Sequence, residues 1–135
     1  MPDAEAAGSE GVSPQYARSL EAERYWWRRI ESEHTFADAT ETEVDLIREG
    51  RLLGHHYGGT YRRPAFQFDA DTGEVLQVIT ALLEVARSYQ VPVHDVIMWL
   101  CTRSTLFAEQ DEPMNHLRDS EVLLAAARDE FGAVW

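Results

Sequence analysis

The chain has 135 residues, with 24 acidic side chains against 12 basic ones, a net charge of −12, and 44% hydrophobic residues, 10% of all residues being aromatic. This is enough for one domain with a core plus a tail, and its acidity disfavours non-specific DNA binding, which depends on neutralising phosphates. No apolar run approaches the ~18 residues of a membrane span, MPDAEAAGSE is not a secretory signal, and the lone Cys101 excludes an intrachain disulfide or a multi-cysteine zinc site, so a cytoplasmic protein is expected.

Residues 1–13 hold almost nothing to bury and read as a disordered tail. Ser13-Pro14 then reads as an N-cap followed by the first helical position. The helix runs to about Glu33 and carries Trp26-Trp27-Arg28-Arg29, the densest aromatic and cationic cluster in the chain. Thr40 or Thr42 opens a short helix through Leu46-Ile47, which Gly50 ends. A β-hairpin follows. Its strands span about 52–57 and 60–68, Gly58-Gly59 supplies two positive φ angles at the turn, and Pro64 marks an edge or a break in pairing.

Residues 69–73 form a turn, and 74–89 form the clearest amphipathic helix, with Val75, Val78, Ile79, Leu82 and Ala86 at helical spacing. Gln90-Val91-Pro92 breaks it, 93–102 make a second apolar helix, and Pro113 opens a single turn to Leu117. Asp119 or Ser120 caps a last helix over 121–130, ended by Gly132. The expected fold is therefore mainly α: a small helical domain with one β-hairpin behind a disordered N-terminal tail. Its expected core is Val78, Ile79, Leu82, Val96, Trp99, Leu100, Leu117, Val122 and Leu123.

The chemistry-bearing residues do not assemble into a recognisable catalytic pattern. His55-His56 are strand neighbours that face opposite sides and cannot easily share a metal. Asp69-x-Asp71-x-Gly73 lacks the further ligands of a calcium loop. Ser104-Thr105 has no base at a telling spacing. The expectation is a binding protein, not an enzyme, with no cofactor and no metal. Residues 46–68 carry four arginines against one glutamate, a local +3 island in an acidic chain. Arg48, Arg51, Arg62 and Arg63 are accordingly the candidate DNA contacts. At the other end, Gly132 releases the last helix into Ala133-Val134-Trp135. Trp135 either packs back on the domain or anchors in a partner's pocket, as tryptophan does at binding hot spots.

From residue 43 to residue 128 the chain resembles the toxin-binding domain of the Xre/MbcA/ParS antitoxins. The resemblance rests on Arg48-Glu49-Gly50-Arg51-Leu52-Leu53-Gly54, Gly59-x-Tyr61, Pro64-Ala65-Phe66-Gln67-Phe68, Trp99-Leu100, Pro113-Met114-x-x-Leu117, and the helix with Val122-Leu123 and Ala125 to Arg128. It implies an antitoxin of a type II toxin-antitoxin system that neutralises a RES-domain, NAD-consuming toxin by covering its active site, with autoregulatory DNA binding as a second role. The implied organisation is a tail (1–13), N-terminal helices plus hairpin (14–68) and a helical toxin-binding domain (69–135). Trp99, Asp129, Glu130, Phe131, Val134 and Trp135 are the expected partner-binding residues.

Many members of that family bind their promoter through an N-terminal helix-turn-helix. Here 14–47 offer two helical segments without that signature. The short helix and basic hairpin do resemble a degenerate winged reader, with 42–51 as the reading helix and 57–60 as the wing tip. The alternative function is thus a small winged-helix-like transcriptional regulator without a toxin partner. Besides a cognate toxin, operator DNA and a second copy of the chain stay open as partners, and a membrane is not expected.

Overall fold

The computed structural model describes residues 14–133, with side chains from residue 21 onward. The expected tail, residues 1–13, and the proposed cap Ser13 lie outside the described residues, as do Val134 and Trp135. The chain divides at His34–Thr35 into two compact units. The first contains α1, Pro14–Glu33, with proline in its first turn as the sequence indicates. Trp26 and Trp27 meet edge to face at 4.8 Å. Arg29 and Glu33 form an i,i+4 pair at 3.4 Å, which is exposed and contributes little.

The second unit contains a small antiparallel sheet, α2 and three further helices. Helix α2, Glu41–Arg48, starts at Thr40. The Thr40 hydroxyl accepts from the Glu43 N–H at 3.2 Å, and the Glu43 carboxylate accepts from the Thr40 N–H at 2.9 Å, a reciprocal capping box that makes Thr40, not Thr42, the cap. The helix stops at Gly50, whose φ is +75°. The Gly50 N–H donates to the Ile47 carbonyl and the Arg51 N–H to that of Leu46, the paired bonds of a Schellman ending.

Strands β2, His55–Tyr57, and β3, Thr60–Pro64, form the expected hairpin, with Gly58 and Gly59 both at positive φ. Both strands are shorter than expected, and β3 stops at Pro64. A third strand, β1, Phe36–Asp38, pairs with the other edge of β3, so the order is β1-β3-β2. Three residues, Phe-Ala-Asp, carry no readable alternation, which is why the sequence does not announce this strand. A 3-10 turn, Ala65–Gln67, follows β3.

Gln67 is completely buried there. Its Nε2 donates to the Leu53 carbonyl at 2.9 Å and the Pro64 carbonyl at 3.1 Å, and its Oε1 accepts from the Leu53 N–H at 2.9 Å. One amide thereby satisfies backbone groups that the sheet leaves unpaired.

Helix α3, Gln77–Ser88, begins later than its periodicity suggests. Val75 is taken by an isolated antiparallel bridge to Phe68 and is not on the helix. A division at residue 68 would cut through this bridge and the Leu76-to-Gln67 backbone bond. Helix α4 is Val93–Leu100, a second 3-10 turn is Pro113–His116, and α5 is Ser120–Gly132. The core holds Val78, Ile79, Leu82, Val96, Trp99, Leu100 and Leu123 as expected, with Leu52, Leu53 and Ile97 added. Leu117 is half-buried. Val122 is 45% exposed and not in the core, because α5 turns Leu123, Ala126, Ala127 and Phe131 inward and sets the preceding residue about 100° away.

Candidate partner-binding surface

Helix α5 packs on α3 and on the Pro113–His116 turn. Its inner side carries Phe131, whose ring meets that of Trp99 at 5.3 Å, edge to face. Trp99 also approaches Phe107 at 6.4 Å, and Phe107 stacks flat on His116 at 4.2 Å. Trp99 and Phe131 are 8% and 5% exposed. Trp99 is expected both in the core and among the partner contacts, and Phe131 among the partner contacts; the fold uses both rings to hold α4 and α5 together. The sequence signal for Phe131 was its place at i+4 and i+8 from Ala127 and Leu123.

Asp129 and Glu130 are exposed in the last turns of α5, and the last turn contains no basic residue. Carboxylates at that end sit against the negative pole of the helix. Neither has an ion-pair partner among the described residues. Val122, Ala125 and Asp129, at i, i+3 and i+7, share the outer face. Beside the end of the helix lies a groove of about 560 Å³ lined by Met98, Trp99, Thr102, Leu106 and Glu130 among others.

The fold neutralises half of the basic island. Arg62 bonds Asp38 across the β1–β3 pair at 2.7 Å. Arg63 bonds Glu43 of α2 at 2.8 Å and lies over the Phe68 ring at 4.8 Å. Burial pushes the Glu43 carboxyl up, but the Thr40 N–H and the Arg63 guanidinium outweigh it and hold it below the usual carboxylate range. Arg48 is exposed and reaches over Tyr61 at 5.4 Å. The Arg51 side chain makes an exposed 3.5 Å contact with Glu49. The fold thus brings Arg62 and Arg63 to acids and leaves Arg48 and Arg51 presented outward.

The histidine pair behaves as strand alternation requires. His55 faces inward between the Phe36 and Tyr57 rings, while His56 faces outward against Tyr61. Burial, reinforced by Arg62, pushes the His55 imidazole down to about 4. The Asp69 carboxylate is consumed by its own turn, accepting from the Asp71 and Thr72 N–H groups at 2.8 and 3.0 Å. Those bonds hold its pKa low. His94 contacts Asp95 at 3.3 Å on the surface.

One cluster escapes the sequence reading. Glu109, Asp111 and His116 place three potential ligand atoms within 4.8 Å of one another. Its only trace in the sequence is an acid-x-acid spacing before a histidine five residues on.

No protein-family model matches this chain, and no curated protein matches it. The NMR structure of Rv2175c is similar, with a TM-score of 0.56 and 17% identity over 64% of this chain and 67% of that one. That likeness concerns the fold alone.

Proposed function

We propose that this chain is an antitoxin-like binding protein that covers the active-site cleft of a RES-domain, NAD-consuming toxin with the C-terminal end of α5 and the residues after it. The observation that carries the reading is the exposed pair Asp129 and Glu130, held where carboxylates work against the helix dipole. Residues that break a local rule without compensation inside the fold point to a use outside it. A cleft that grips the phosphates of NAD presents basic groups, which an acidic helix end complements. The resemblance over residues 43–128 supplies the partner class. In this reading Val122, Ala125, Asp129 and Glu130 make the contacts, while Trp99 and Phe131 hold the surface in shape.

The test asks first whether a RES-domain enzyme is encoded beside this gene, and then measures NAD consumption by that enzyme with the chain added. Equimolar protein should silence the enzyme. Reversing charge with Asp129→Arg and Glu130→Arg should lose inhibition at an unchanged melting temperature. Full inhibition by the reversed variant would remove the acid pair from the contact. No inhibition by the natural chain in molar excess would end the antitoxin reading.

A winged regulator is the second reading. It is favoured by α2 followed by a hairpin with an exposed glycine tip, and by the outward Arg48 and Arg51. Fluorescence anisotropy on the upstream DNA should then show binding that weakens with salt and with Arg48→Ala plus Arg51→Ala.

A further inference from the structure

The segment after α4 closes on itself. The Ser104 N–H donates to the Asp111 carbonyl at 3.0 Å, the Arg103 Nε–H to the Gln110 carbonyl at 3.1 Å, and the Gln110 N–H to the Phe107 carbonyl at 2.9 Å. Gln110 sits at φ +52°, a left-handed conformation unusual for a residue with a side chain. At this turn the Asp111 carboxylate lies 2.7 Å from His116 Nε2, and the Glu109 carboxylate lies 4.0 Å from the same nitrogen. The His116 ring is fixed by its stack on Phe107.

We propose that Glu109, Asp111 and His116 form a binding site for a divalent transition-metal ion of the zinc class. The donor set, one imidazole nitrogen and two carboxylates, suits zinc or manganese better than the all-oxygen preference of calcium or magnesium. Ligands at zinc distances lie about 3.4 Å apart along a tetrahedral edge, and the separations here bracket that value. The two carboxylates bring two negative charges to one point, which a divalent cation matches. The metal takes the place of the proton shared by His116 Nε2 and Asp111 Oδ1, which leaves to solvent. Glu109 lies on the surface, so solvent reaches that side of the cluster. Bound there, the ion would tie the 103–112 loop to the turn beneath α5 and, through Phe107, to the packing of Trp99.

Isothermal titration of the full chain with zinc chloride tests this, with magnesium chloride as a second arm. Zinc should bind at one site per chain and magnesium should not. Glu109→Ala should weaken zinc binding by about tenfold or more while leaving the metal-free melting temperature unchanged, because Glu109 touches little else. His116→Ala should abolish binding, and His94→Ala, a surface control, should not affect it. Absence of saturable zinc binding up to about 1 mM overturns the proposal. So does unchanged affinity in Glu109→Ala, or a loss that follows His94.

Discussion

At the scale of single residues, two buried polar side chains matter more than their sequence context suggests. Replacing Gln67 with Leu keeps the volume but strands the Leu53 N–H and the carbonyls of Leu53 and Pro64. Unsatisfied buried groups cost about 1–3 kcal/mol each. Urea denaturation should show a loss of about 3 kcal/mol, and a loss below about 1 kcal/mol would mean that water reaches these groups. His55 makes a pH prediction. Its folded pKa, about 4, lies below its ordinary value of 6.5, so between those values the unfolded chain binds more protons. The contribution is therefore complete above pH 6.5 and is lost as pH falls towards 4. Stability should drop over that window by about 2–3 kcal/mol, with Glu43 joining in its lower part. In His55→Phe the slope between pH 6.5 and 5 should flatten. An unchanged slope would assign the titration to another group.

At the scale of elements, the ends of helices decide more than their middles. Helix α2 is terminated by Gly50 in the left-handed region, and α3 uses the same device with Gln90 at φ +59°. There the Gln90 N–H donates to the Arg87 carbonyl and the Val91 N–H to that of Ala86. A residue with a Cβ pays about 1 kcal/mol at such a position. Gln90→Gly should therefore raise stability by about 1 kcal/mol, read as a higher denaturation midpoint with an unchanged slope. A fall in the midpoint would mean that the Gln90 side chain contributes more than its backbone strain costs. The close approach at Gly54 works oppositely, since a Cβ there would run into the Ile47 side chain and the Arg62 carbonyl. The short α2 and the hairpin are thus locked at a distance that no other residue allows without a shift.

At the scale of the whole molecule, the aromatic group Trp99, Phe107 and Phe131 joins α4, α5 and the loop between them. Trp99→Ala should cost about 3–5 kcal/mol by cavity formation. Equilibrium denaturation with a loss below about 1 kcal/mol would place the indole on a surface. Because Phe131 belongs to this group, a truncation probing the C-terminal residues has to begin at Ala133 to leave the fold intact.

The sequence by itself determined what depends on neighbours within a turn or a strand. It placed the glycine turn of the hairpin, the opposite facing of His55 and His56, the capped start of α2, and the apolar face of α3. Those patterns follow from periods of 3.6 and 2 and from backbone sterics, which act over a few residues. Only the tertiary structure decided which distant groups meet. It paired Arg62 with Asp38 and Arg63 with Glu43, 24 and 20 residues apart, and so removed half of the expected basic surface. It added β1 because the free edge of β3 needed a partner, and it gathered Glu109, Asp111 and His116. It also turned Val122 outward and Phe131 inward, since the phase of a helix is fixed by what it packs against, and that surface is built by residues far away in the chain.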